Sequence, residues 1–285
     1  MSEIRRETFS AVWEEIPVHG YWRTPKDPEG MVILVHGFGE HSGRYKAEVV
    51  PFFNKHGLGV FAFDLVGHGR SGGKRGDCAG YDQLMHLVDK ACRTARERFP
   101  KLPLLLFGHS MGGNLVLNYA LRGLGRPDGI LASSPYLRLA FQPPAWKWQF
   151  GKLLERLFPS ITVGSGLDPN GISRDPREVE TYLEDPLIHD RVSPRYSFPV
   201  IEAGEWALAN AADLEVPTLV LHGTADPIID SGGSMLFCQR APGCDLVLIE
   251  KGYHELHRDL DRDRYFAAIE DWLSQNFPYR RTGPD

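Results

Sequence analysis

The chain has 285 residues, of which 42% are hydrophobic, a formal net charge of −5 and an isoelectric point near 6.1. This is long enough to bury a large core, and the mildly acidic balance excludes the global basic field that nucleic acid attracts. No run approaches the ~18 consecutive apolar residues of a membrane span, and Met1–Glu15 lacks the apolar stretch of a signal peptide. The four cysteines, Cys78, Cys92, Cys238 and Cys244, form no C-x-x-C pair and are expected to be reduced thiols of a cytoplasmic protein.

In chain order, Thr8–Glu15 and Val18–Arg23 are predicted to form an antiparallel pair. Short apolar runs follow at Met31–Val35, Gly59–Phe63, Leu102–Phe107, Gly129–Ala132, Thr218–Leu221 and Leu246–Ile249. Each is continuous and bounded by Gly, Pro or polar residues, the pattern of strands buried on both faces of a parallel sheet. Helix-like stretches lie between them: Arg44–His56, Tyr81–Phe99, Met111–Arg122, Gly233–Arg240 and Asp263–Asn276. In the second of these, Leu84, Leu87, Val88, Ala91 and Ala95 recur at helical spacing and read as core contacts. The alternation predicts an α/β fold, one mostly parallel sheet with crossover helices. Residues 135–213 break the rhythm. They are Pro-rich, carry Trp146, Trp148 and Trp206, and include an amphipathic piece at Trp148–Phe158. A structureless loop of this length is improbable, so the segment is expected to be a helical cap inserted between two strands, with residues 1–134 and 214–285 forming the core.

Gly108-His109-Ser110-Met111-Gly112 matches G-x-S-x-G and sits between a predicted strand and a predicted helix. That is the context of a nucleophile elbow, in which a sharp turn exposes a serine oxygen and small flanking residues let strand and helix approach. Serine is a weak nucleophile without a base, and the elbow's partners follow in the order acid, then histidine. Asp226 lies just past the strand Thr218–Leu221; Asp230 and Asp245 are rivals in poorer positions. Two histidines follow, His254 and His257, and His254 occupies the loop after the last strand, where a base can reach Ser110. Acyl transfer also needs donors for a developing oxyanion. The backbone N–H of Met111 is one; the N–H of Phe38, in the glycine-rich loop His36-Gly37-Phe38-Gly39-Glu40, is the other. His36 reads as a brace for that loop.

Other patterns mislead. Gly67-His68-Gly69-Arg70-Ser71-Gly72 has the G-x-G-x-x-G spacing, but no apolar helix opens after it, so no dinucleotide site is expected. His254 and His257 do not fit a zinc motif, and no metal or organic cofactor is required. The tryptophans and Phe150 of the insertion read as packing residues, as the wall of an acyl tunnel, or as a patch that touches lipid.

His36-Gly37-Phe38-Gly39-Glu40-His41-Ser42-Gly43-Arg44-Tyr45, Asp64-Leu65-Val66-Gly67-His68-Gly69-Arg70-Ser71 and Gly108-His109-Ser110-Met111-Gly112-Gly113 together resemble the monoacylglycerol lipase family, as do Asp185-Pro186-Leu187 and His254-Glu255-Leu256-His257. The likeness runs from about Gly30 to Phe277. It implies the α/β-hydrolase fold and hydrolysis of a single fatty acyl ester of glycerol or of a lysophospholipid. It also implies a cap over an apolar tunnel, with Glu40, Arg44, His109, Tyr182 and His257 around the glycerol head. Glu40 and Arg44 can equally form a local salt bridge that holds their loop. The resemblance implies a small lipid substrate and leaves peripheral membrane contact through the cap as an option. Pro143–Trp148 does not match the family pattern.

Overall fold

The computed structural model describes residues 3–141 and 144–277. Part of Pro143–Trp148, the stretch that departs from the family pattern, lies outside the described residues. The chain opens with a ten-residue antiparallel pair, β1 (Ile4–Trp13) and β2 (Ile16–Pro25). Six further strands complete the sheet: β3 (Gly30–Val35), β4 (Leu58–Phe63), β5 (Leu104–His109), β6 (Gly129–Ser133), β9 (Thr218–Gly223) and β10 (Cys244–Ile249). Two short strands, β7 (Val163–Gly164) and β8 (Arg191–Val192), form a separate ribbon. The sheet order is β1-β2-β4-β3-β5-β6-β9-β10. Pairing is parallel from β4 to β10, and β2 joins β4 antiparallel.

Helices cover both faces. Val32 and Leu34 of β3 point to one side, where they meet Val49, Val50 and Phe53 of α1 (Val49–Lys55) and Tyr265, Ile269 and Leu273 of α8 (Arg262–Asn276). Ile33 and Val35 point to the other, toward α2 (Tyr81–Arg98) and α3 (Met111–Leu121). Continuous apolar strands are needed because both pleat faces are buried. The edge strand β10 departs from this expectation. With a neighbour on one side only, most of its residues are half-buried.

The predicted helix over 44–56 divides into a 3₁₀ turn, Ser42–Lys46, and α1. Pro51 accounts for the break. Its ring would clash with the preceding turn of a continuous helix, but it is tolerated in the first turn of α1, where its missing N–H costs nothing. Between β6 and β9 the chain runs through α4 (Ala145–Leu157), α5 (Pro176–Glu184) and α6 (Pro194–Ala209). α6 lies along α3: the Asn114 amide donates to the Val200 carbonyl and the Asn118 amide to that of Ala203. Trp148 packs edge-on against Phe198, and Arg122 lies over the Trp206 ring.

One expectation is corrected. Cys238, near the end of α7 (Ser231–Arg240), and Cys244, at the start of β10, are joined by a disulfide. The tight Ala241–Gly243 connection folds the chain back and brings their Cα atoms to 5.0 Å, so a pair spaced by six residues meets without a C-x-x-C motif. Cys78 and Cys92 are free and buried, and burial pushes both thiols up to about 12.

The glycines around residue 110 leave no room for a side chain. A Cβ on Gly108 would sit 2.3 Å from the Gly112 carbonyl oxygen, and one on Gly112 would sit 2.1 Å from that of Val35. These obstacles are backbone and cannot swing aside. Gly112→Ala is expected to destabilise the protein by about 1–3 kcal/mol or more, read as a lower denaturant midpoint with unchanged m-value.

Candidate active site

Ser110 stands between the last residue of β5 and the first of α3, with φ 53° and ψ −115°. A non-glycine residue in this region is strained and persists only where its surroundings hold it. Here they do: Ser110 N–H donates to the Ser133 carbonyl at 2.9 Å, and its own carbonyl accepts from Asn114 and Tyr136 N–H at 3.0 and 2.9 Å. Ser110 is 8% exposed and borders a cavity of about 690 Å³.

Two loops at the same edge of the sheet bring up a carboxylate and an imidazole. Asp226 follows β9 and His254 follows β10. His254 Nδ1 lies 2.7 Å from Asp226 Oδ2, and Asp226 Oδ1 accepts from Ile228 and Ile229 N–H at 2.9 and 3.0 Å. The His254 loop is tied down by its neighbours. Its carbonyl accepts from Ser134 Oγ at 2.8 Å, and Glu255 N–H donates to Ile172 of the inserted segment at 2.7 Å. His254 lines the cavity with Ser110. Burial penalises the Asp226 charge, but His254 and His222 around it hold the carboxyl far below the usual range. Burial likewise works against a charged His254, yet the adjacent Asp226, with Glu255 and Glu40 behind, raises its pKa above the ordinary value. Such an imidazole can take a proton from a serine hydroxyl and hold the resulting charge.

Phe38 and Met111 border the cavity beside Ser110. Met111 begins α3, so its N–H has no partner within the helix. The Phe38 ring is gripped edge-on by His68, His189 and Tyr196, at centroid distances of 5.4, 5.8 and 5.3 Å. His189 N–H also donates to the Gly39 carbonyl at 2.9 Å, so the inserted segment is bonded to the glycine loop. His36 spans the base of that loop, its Nδ1 donating to the Gly37 carbonyl and its Nε2 accepting from Leu65 N–H. The G-x-G-x-x-G stretch is a turn closed by Asp64, which accepts from Arg70 N–H; the next helix, α2, starts only at Tyr81.

Of the five residues expected around a polar head, Glu40, His109 and Tyr182 line the cavity. Arg44 and His257 lie one layer behind. Arg44 is buried between two carboxylates, 3.2 Å from Glu40 Oε2 and 2.5 Å from Glu255 Oε2, and its guanidinium covers the Tyr182 ring at 4.8 Å. Glu40 also accepts from Gly37 N–H and Tyr45 O–H, each at 2.6 Å. Burial opposes its charge, but His109 and Arg44 hold it below the usual carboxylate range. His257 is fully buried, stacked on Tyr45 at 5.0 Å and edge-on to His109 at 5.5 Å. Among the described residues no group of three or more His, Cys, Asp or Glu could hold a metal ion, and no helix is long and apolar enough to cross a membrane.

Residues 26–261 match the family model described as serine aminopeptidase, S33. A monoacylglycerol lipase of Mycolicibacterium smegmatis is 33% identical over 277 residues, covering 96% of this chain and 98% of that one. The chain belongs to the monoacylglycerol lipase family. A crystal structure of the Paleococcus ferrophilus monoacylglycerol lipase superposes with a TM-score of 0.81 at 34% identity, over 96% of this chain and 99% of that one. The chain also spans 27% of an uncharacterized abhydrolase domain-containing protein of Dictyostelium discoideum, at 32% identity over 89% of its own length. The fold is the α/β-hydrolase fold, and the protein is a carboxylic ester hydrolase of the lipase and esterase type.

Sequence reading overlooked His222. It follows Leu221 near the end of β9, and its Nε2 is 3.2 Å from the same carboxylate oxygen that His254 touches. A second histidine four residues before the acid was the available signal.

The raised His254 pKa sets a pH dependence. A base must be neutral to accept a proton, so kcat/KM is expected to rise with pH through a limb above the ordinary histidine value of about 6.5. Asp226→Asn removes the charge that raises His254. The limb should then move to lower pH while kcat falls by about 10⁴-fold, measured by ester hydrolysis across the pH range.

Proposed function

We propose that the protein hydrolyses monoacylglycerols to a free fatty acid and glycerol through an acyl-enzyme on Ser110. The observation that carries this reading is one cavity with two kinds of wall. Ser110 and His254 line it together with the polar side chains of Glu40, His109 and Tyr182 and the apolar ones of Leu139, Leu167, Val200, Ile228 and Ile229. An acyl chain fits the apolar wall and a small polyol the polar one. Ser110 attacks the ester carbonyl while His254 takes its proton, and Asp226 keeps the imidazole oriented and stabilises its charge. The N–H groups of Phe38 and Met111 receive the oxyanion. The tetrahedral intermediate collapses, the ester C–O bond breaks, and glycerol leaves with the proton from His254. Water, deprotonated by His254, then releases the fatty acid and restores Ser110.

Residues 135–213 act in this reading as the cap over the acyl chain. Phe150, Leu153 and Leu157 on one face of α4 are exposed, as are Phe158, Val163 and Leu183, and the last two also border the cavity. Exposed apolar side chains in the segment that borders the cavity suit contact with a lipid surface, from which the substrate would enter. The description of the matching family model favours a second reading, a peptidase or another esterase acting on a small acyl substrate.

Ser110→Ala is expected to remove nearly all release of glycerol and fatty acid from monoacylglycerols, roughly 10⁴-fold or more, with the fold retained. Wild type should label with a fluorophosphonate and cleave monoacylglycerols in preference to di- and triacylglycerols, aryl esters and aminoacyl substrates. Labelling with fastest turnover of an aminoacyl or aryl substrate would transfer the enzyme to the second reading. Phe150→Ser with Leu157→Ser should lower co-sedimentation with phosphatidylcholine vesicles and leave hydrolysis of a soluble short-chain ester unchanged.

A further inference from the structure

Asp226 has two histidine partners, and the mechanism above uses one. His222, the fifth residue of β9, is completely buried. Its Nε2 lies 3.2 Å from Asp226 Oδ2 and 3.2 Å from the Ile229 carbonyl oxygen, and its Nδ1 lies 2.7 Å from Ser234 Oγ on α7. A carbonyl only accepts, so Nε2 carries the proton; in the neutral ring Nδ1 then accepts from the Ser234 hydroxyl. Ser234 is itself fully buried, so this tautomer is held from behind by a group shut away from water. Asp226 Oδ2 therefore receives two N–H donors, His254 at 2.7 Å and His222 at 3.2 Å, while Oδ1 is filled by two backbone N–H groups.

We propose that His222 is a positioning residue for ester hydrolysis: its Nε2–H, fixed by Ser234, shares Asp226 Oδ2 with His254 and so sets the carboxylate's orientation and its hold on the His254 proton. The proposal rests on the reading of Ser110, His254 and Asp226 as nucleophile, base and acid. A donor on Oδ2 draws negative charge away from the His254 bond. Without it the carboxylate holds an imidazolium more tightly, so the His254 pKa rises and the base is neutral over a narrower range. His254 also faces His109 from the end of β5, at a ring distance of 4.8 Å, His257 behind it, and the charges of Glu40 and Glu255. His222 faces Asp226 and Ser234. The variants below leave all of these side chains except the substituted one unchanged, so a moved limb reports the bond between His222 and Asp226.

The test is hydrolysis of p-nitrophenyl butyrate by the whole protein from about pH 5 to 9, a range that brackets histidine titration. Wild type, His222→Leu, His222→Gln, Ser234→Ala and Ser110→Ala are compared. For His222→Leu the acid limb of kcat/KM should move up by about half a unit or more, and kcat should fall about tenfold with KM little changed. The downfield proton resonance of the His254 Nδ1–H should shift as well. Gln keeps an N–H donor and should recover most of both properties; Ser234→Ala should move the limb the same way by less. A folded His222→Leu protein with the wild-type limb, kcat and resonance would overturn the proposal. If that variant does not fold, an unmoved limb in Ser234→Ala overturns it instead. An active Ser110→Ala protein would remove the triad and the proposal with it, whereas an inactive one beside unshifted His222 and Ser234 variants would remove the role of His222 alone.

Discussion

The site depends on one crowded corner, where β5 turns into α3. Ser110 can hold a positive φ because hydrogen bonds to its N–H and carbonyl fix it from three sides, and because Gly108 and Gly112 let three backbone segments approach to distances that exclude any Cβ. A turn of this kind costs of order 1–3 kcal/mol. The apolar sheet beneath it, packed on both faces, stabilises the corner enough to absorb that cost. What results is a hydroxyl raised above the sheet edge at the positive end of a helix, at the level where the loops after β9 and β10 deliver Asp226 and His254.

Around this corner the polar groups are arranged in buried, nearly closed sets. Arg44 is shared by Glu40 and Glu255; Asp226 is shared by two histidines and two backbone N–H groups. Charge held this way cannot be removed piecemeal. Breaking a buried pair from one side costs about 3–5 kcal/mol, because the partner is left charged and dry. The same closure braces the glycine loop: Glu40 reaches back to Gly37 N–H, and His36 ties the loop to Leu65. The electrostatics that tune His254 and the bonds that shape the loop beside Ser110 are parts of one network.

Much of this was legible in the sequence for simple physical reasons. A strand buried on both faces must be an unbroken apolar run, so the parallel strands stood out. A serine between such a run and a helix, flanked by Gly108 and Gly112, admits few other readings. What escaped notice depends on contacts between distant segments. His222 reads as an ordinary strand residue until α7 brings Ser234 behind it, and Cys238 meets Cys244 only because a helix and a strand end at one turn. Arg44 and His257 carry the family's pattern, yet they sit behind the cavity wall. Linear order reveals residue type and spacing but not which layer a side chain occupies. Pro51 was readable in principle, since a helix drawn through it needs a hydrogen bond that proline cannot give.

The bond from His189 N–H to the Gly39 carbonyl makes the inserted segment and the loop beside Ser110 a single mechanical part. A Cβ on Gly39 would fall 2.6 Å from the His189 carbonyl oxygen, so the two backbones lie in direct contact with no side chain to cushion them. Any swing of residues around 189 away from the sheet pulls on the corner where the ester carbonyl would be received. A hinge at that point would open the entrance and dismantle the receiving corner in one stroke.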